Sequence, residues 1–65
     1  MDIKQVMWFF ADENGNVIAQ MLMAENEEEQ AIDELSLMVP HGRYVLGYFR
    51  SDGTKKVYEN ARQIV

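Results

Sequence analysis

Apolar and polar residues follow two different periods along this chain, and the change from one to the other predicts its elements. Residues 6–11 are an unbroken apolar run, and residues 17–24 are interrupted only by Gln20. Short apolar runs that are rich in β-branched and aromatic residues are typical of β-strands. Residues 26–38 instead repeat apolar side chains at helical spacing. The pattern predicts two strands followed by one helix.

The segment 12–16 joins the two strands, and its Asn and Gly residues tolerate the positive φ of a tight hairpin turn. Two registers fit this segment. In the first, a two-residue loop places Trp8 opposite Met21. In the second, Gly15 is a bulge after a type I turn, so that Met7 lies opposite Met21 instead. We favour the second register, because it separates a purely apolar face from a mixed one.

The helix is predicted over residues 26–38. Asn26 is a suitable N-cap, and Glu29, three residues further on, completes a capping box. Pro40 stops the helix, because a proline biases the residue before it toward extended backbone.

A second hairpin is predicted after the helix. Residues 43–50 are apolar on both faces, and the more polar residues 55–64 follow after a turn. The element order β-β-α-β-β predicts an α+β fold, in which one helix packs on one face of a four-stranded, mostly antiparallel sheet. We expect one domain over residues 1–65, made of a hairpin at 3–24, a helix at 26–38 and a hairpin at 43–64.

Large apolar residues lie on both faces of the predicted sheet, whereas one helix covers only one face. A chain of 65 residues buries only about 60% of its unfolded surface, and this one has no cysteine for a disulfide. Small domains of this kind rely on oligomerisation for stability. We therefore predict a homodimer joined through the uncovered sheet face or through a strand edge. The face predicted to meet the second copy carries Val6, Trp8, Phe10, Ile18 and Leu22.

The net charge of −5 is unevenly distributed along the chain. Residues 1–42 carry nine acidic residues against one lysine, whereas residues 43–65 carry five basic residues against two acidic ones. Acidic side chains concentrate at the helix start, where the helix dipole favours negative charge. A solvated helix face and a surface for a basic partner both fit this pattern. The candidate partner-binding residues are Glu27, Glu28, Asp33 and Glu34.

Basic and aromatic residues alternate through the second hairpin. Exposed rings among cations can stack on bases and follow a phosphate backbone, so a nucleic-acid-binding module is the alternative function. The other interpretation is that the rings lie in the core and the cations protect a strand edge. The candidate nucleic-acid residues are Arg43, Tyr48, Arg50, Lys55 and Lys56.

No combination of side chains predicts catalysis. His41 is the only histidine, cysteine is absent, and the four glycines are scattered rather than grouped into a phosphate-binding loop. We predict no enzymatic activity, no cofactor and no metal site. The N-terminus lacks a basic start followed by a long apolar stretch, and the apolar runs are far below the ~20 residues that span a bilayer. These features predict a cytoplasmic protein without a membrane segment.

The expected function is that of a small, acidic interaction or inhibitor module that acts as a homodimer by occupying a surface. In kind, such a chain resembles the small accessory proteins of phages and mobile elements that bind and block a host machine. This likeness is one of type and points to no family. It implies a protein partner with a basic surface. A structural subunit of a larger assembly is the third function that fits.

Overall fold

The computed structural model describes residues 4–65, so the predicted strand start at residue 3 lies outside the described residues. The predicted α+β fold with β-β-α-β-β topology is confirmed. Its elements are strands β1 (Gln5–Ala11) and β2 (Val17–Ala24), helix α1 (Glu28–Ser36), and strands β3 (Gly42–Phe49), β4 (Lys55–Val57) and β5 (Arg62–Ile64).

The strands form one antiparallel sheet in the order β2-β1-β3-β4, and β5 also pairs with β3. Strand β2 therefore forms one edge, and the centre of the sheet is made by β1 and β3. Helix α1 connects the edge strand to β3 and packs on one face of the sheet. It buries Ala31 and Leu35 in a core cluster with Trp8, Phe10 and Leu46.

The predicted fourth strand is broken into β4 and β5. Val57 lies opposite Gly47, whereas Ile64 lies opposite Gly42, so two extra residues are inserted between the two short strands. An insertion of two residues preserves the alternation of side chains between faces. Tyr58, before the break, and Arg62, after it, therefore lie on the same face of the sheet, the one that packs against the helix.

The first hairpin combines both of the registers that the sequence allows. At the turn, Gly15 has a φ of 85° and Ala11 lies opposite Val17, as in the favoured register. A bulge then shifts the pairing by one residue, and Trp8 lies opposite Met21 as in the alternative. The favoured register is therefore correct at the turn and wrong beyond it. Ile18 is the extra residue at the bulge and is 44% exposed.

The predicted dimer face is wrong for three of its five residues. Val6, Trp8 and Phe10 are 2%, 0% and 0% exposed, so they lie in the protomer's own core beneath the helix and cannot form an uncovered face. In the favoured register Trp8 would lie opposite Gln20, whereas the shift places Met21 opposite Trp8 and Gln20 opposite Phe9, on the other face. The face of Val6, Trp8 and Phe10 is the one that α1 covers. The Trp8 indole N–H donates to the Ala24 carbonyl at 3.0 Å, which satisfies its polar edge.

The helix start also differs from the prediction. The N-cap is Glu27 rather than Asn26, and no side chain makes a capping hydrogen bond, so the predicted capping box is wrong. The Glu27 carboxylate instead accepts a hydrogen bond from the Ala24 N–H at 3.2 Å, and the Glu27 N–H donates back to the Ala24 carbonyl at 3.0 Å. This tight turn leads directly from β2 into the helix and takes the place of the predicted cap.

Gly47 provides a test of the packing at the centre of the sheet. A Cβ added there would lie 2.5 Å from Phe9 Cζ and 2.7 Å from the Lys56 carbonyl oxygen. Alanine is ordinarily favoured over glycine within a strand by about 0.5–1 kcal/mol. We expect Gly47→Ala to lower the free energy of unfolding instead, by about 1–3 kcal/mol, because the carbonyl cannot move aside. Urea unfolding followed by circular dichroism measures the change, and unchanged or increased stability would contradict the described packing.

Candidate functional site

The sheet face opposite the helix is largely apolar, and no described element covers it. We call it the open face. Its most exposed apolar side chains are Val17, Leu22 and Val57, at 43%, 62% and 46%. Strand alternation places nine apolar residues on this face, together with the polar Gln5 and Gln20: Met7, Phe9, Ala11, Val17, Leu22, Ala24, Val45, Phe49 and Val57. Leu22 is thus the one member of the predicted dimer face that the strand pairing places on the open face.

Phe9 is buried in the open face although no helix covers it. It lies opposite Gly47, whose missing side chain leaves room for the ring, and it packs on Phe49 with centroids 5.0 Å apart. Only 4% of Phe9 is exposed. Because the Phe9 ring lies over Gly47, a shallow groove of about 320 Å³ remains on this face. The groove is a preformed apolar surface rather than a deep ligand cavity.

The groove has an acidic end and a basic end. Asp12 and Glu13, in the turn between β1 and β2, line one end, and Lys55 at the start of β4 lines the other. The backbone N–H groups of Asn14 and Asn16 both donate to Asp12 at 2.9 Å, and hydrogen bonds of this kind hold its pKa below the ordinary value. Asp12 therefore stabilises the turn, and the more exposed Glu13 is the better acidic contact for a partner.

The predicted nucleic-acid residues do not form one stacking platform. Tyr48 is 5% exposed and packs edge-on against Trp8 at 4.8 Å, so its ring is not available to a base. Arg50 lies 5.3 Å above the Tyr48 ring and 3.7 Å from the Glu25 carboxylate. The core interpretation of this ring is therefore correct.

The basic side chains of this set are also divided between the two faces. Lys56 lies opposite Tyr48 and above the Tyr58 ring at 4.8 Å, on the helix side. Lys55 belongs to the open face. Arg43 lies 3.9 Å from Glu13, near the acidic end of the groove. No single surface collects the cations that the sequence suggested.

The four acidic candidates of the helix also have different roles. Glu27 accepts the Ala24 N–H, and Glu28 accepts the Tyr58 hydroxyl at 2.8 Å while lying 4.0 Å from Arg62. Asp33 and Glu34 are exposed on the helix. Only the latter two present carboxylates that the described fold leaves to solvent.

Part of the charge asymmetry in the sequence is balanced within the molecule. Three ion pairs join the basic second hairpin to the acidic first half of the chain, and each has side chains that are more than a third exposed. Exposed pairs contribute at most about 1 kcal/mol each. In each pair a basic residue of the second hairpin contacts an acidic residue from the first half of the chain, so the two oppositely charged halves lie against one another. The pairs are Arg43–Glu13, Arg50–Glu25 and Arg62–Glu28.

Tyr58 stabilises the fold through contacts that the sequence did not predict. Its ring packs on Trp8 at 6.2 Å, and its hydroxyl is the donor to Glu28. Burial, followed by the nearby Glu28 carboxylate, raises the pKa of Tyr58 to about 12. Tyr58 joins the broken outer strand to the helix over a sequence separation of 30 residues, which no local pattern could indicate.

The raised pKa of Tyr58 makes a testable contribution to stability. The folded chain keeps the hydroxyl protonated while the unfolded chain ionises near pH 10, so this contribution is complete below pH 10 and is lost as the pH rises to about 12. We expect the free energy of unfolding to fall less steeply over that interval in Tyr58→Phe than in the wild type. Urea titrations at several pH values measure both slopes, and equal slopes would contradict the assignment.

The described residues contain neither a helix long and apolar enough to cross a membrane nor a group of three side chains placed to hold a metal ion. Comparison of the chain with models of known protein families, with curated proteins and with solved structures gave no match.

Proposed function

We propose that this protein is a small, non-enzymatic interaction module that acts as a homodimer through the open face. The observation that carries the proposal is the exposure of Val17, Leu22 and Val57 on the open face, which has Gln20 between the first two. Sheets of this kind ordinarily have one face on the core and one polar face toward water. Here the second face is also largely apolar, which is typical of a surface that another chain covers.

The energetics of a short chain support the same proposal. Complete burial of a Val or Leu side chain stabilises a protein by about 1.5–3 kcal/mol. A core of this size supplies only about 3–5 kcal/mol by itself. Val17, Leu22 and Val57 are 43%, 62% and 46% exposed, so covering each of them would add about half of the value for complete burial. Summed over two copies, this contribution is comparable to the stability of the protomer.

A dimer through the open face would leave both helices on the outside. Asp33 and Glu34 would then be presented twice, once on each side, to a partner with a basic surface. We propose that this exposed acidic surface recognises the partner and that the module acts by blocking it, in the manner of cytoplasmic phage or mobile-element inhibitors. Glu27 and Glu28, which make contacts within the fold, have a structural role in this proposal.

A structural subunit remains the second candidate, because the same open face could be covered by a different chain. Oligomeric state separates the two functions, since a module of the proposed kind dimerises alone. The nucleic-acid alternative has weaker support, because Tyr48 is buried and the cations are divided between faces. A filter-binding salt series addresses it, since phosphate contacts lose affinity as salt increases.

Leu22→Glu tests the open face. A charge at this position, which is 62% exposed in the protomer, would be desolvated only in the dimer. We expect sedimentation equilibrium to give twice the 7.6 kDa chain mass for the wild type and the single-chain mass for Leu22→Glu. Leu37→Glu is the matched control, because Leu37 is 84% exposed just beyond the helix end and should leave the dimer intact. A wild type that sediments as a 7.6 kDa monomer at micromolar concentration would overturn the dimer.

Paired charge reversal tests the partner surface. Asp33→Lys combined with Glu34→Lys should abolish capture of a basic partner from the native host, because attraction becomes repulsion. Glu59→Lys reverses an exposed acid outside the helix and should retain capture. Circular dichroism should be the same for all three proteins. Undiminished capture by the doubly reversed variant would exclude the helix surface.

A further inference from the structure

The two charged ends of the open-face groove restrict how a second copy can fit, provided that the proposed dimerisation through this face is correct. Glu13 lies beside the β1–β2 turn, and Lys55 lies at the far end of the groove on β4. Between them the groove is lined by apolar residues, among them Phe9, Val45 and Val57. One surface thus carries an anion, an apolar centre and a cation in a line.

Such a surface is complementary to itself. In a face-to-face dimer the twofold axis lies in the plane of the interface, and each residue meets the partner residue reflected across that axis. If the axis is perpendicular to the groove, the basic end of one copy lies over the acidic end of the other. Two identical contacts between opposite charges then flank a buried apolar centre, which is the common arrangement of protein interfaces.

The charges near the groove leave Lys55 and Glu13 able to make this contact. Within residues 4–65, Lys55 makes no ion pair of its own. Glu13 has a side chain that is 73% exposed, and its contact with Arg43 is long, at 3.9 Å. A carboxylate has lone pairs for a second cation. Asp12 is the weaker candidate, because its Oδ1 accepts two N–H groups of the turn and its side chain is less exposed than that of Glu13.

We propose that the open face binds a second copy of this chain in a single orientation, in which Lys55 of each protomer pairs with Glu13 of the partner subunit. Like charges placed opposite one another discriminate against the other orientations. The apolar residues supply most of the affinity, whereas the two ion pairs determine the register of the dimer.

Charge exchange between two variants tests the pairing. In homodimers of Lys55→Glu, two carboxylates face each other at both ends, and in homodimers of Glu13→Lys two ammonium groups do so. We expect each variant alone to dimerise at least about tenfold more weakly than the wild type at low salt. A mixture of the two variants restores an opposite-charge pair at both ends. Sedimentation of the mixture should therefore give a heterodimer of near wild-type affinity.

The chain supplies a matched control in the adjacent residue. Lys56→Glu makes the same charge change in the same strand, but Lys56 lies on the helix side of the sheet. Its effect on the dimer should be within about twofold of the wild type, and salt near 1 M should reduce the difference between the two lysine variants.

The outcomes separate this inference from the function on which it rests. A wild type that stays monomeric overturns both the dimer and the pairing. A stable wild-type dimer that Lys55→Glu and Lys56→Glu affect equally, or variants that fail to form a heterodimer when mixed, overturns the pairing alone. Urea unfolding of each variant confirms that the compared chains are folded.

Discussion

A nine-residue helix has to shield one face of a sheet that carries large apolar side chains on both faces, and the rest of the structure follows from this constraint. The helix covers the face with the largest residue, Trp8, which is fully buried and has its indole N–H bonded to a strand carbonyl. Tyr58 extends this cover from the outer strand by reaching back to Glu28. With these contacts in place, the protomer has no element left for the opposite face among its described residues.

The elements and their order could be predicted from the sequence, because turns and strand propensity are local. The pairing of the strands could not. A bulge of one residue at Ile18 changes which side chains of β2 accompany Trp8, and neither register considered alone describes the hairpin. The predicted dimer face therefore included three core residues. The break between β4 and β5 and the hydrogen bond of Tyr58 to Glu28 depend on contacts far apart in sequence, for which the residue pattern gives no signal.

The distribution of charge along the chain could likewise be predicted from the sequence, whereas the pairing of charges in the fold could not. An acidic first half and a basic second half are visible in the sequence, and each suggests a separate partner. In the folded chain three ion pairs join the two halves, and Tyr48 and Tyr58 lie beneath cations. The charges left to external contacts are fewer, and they include those on the outer surface of the helix and at the ends of the open-face groove.

Strand β2 has a further consequence for the behaviour of the protein in solution. It is an edge strand of eight residues, and the segment Val17–Ala24 contains neither a charged residue nor a proline. The bulge at Ile18 protects only the start of this edge, and the rest of it can add extended segments from other molecules. Colloidal stability must then come from the net charge of the whole chain, which vanishes near the sequence pI of about 4.6. Mild acid is thus the condition under which this fold is most exposed to fibrillar or amorphous precipitation.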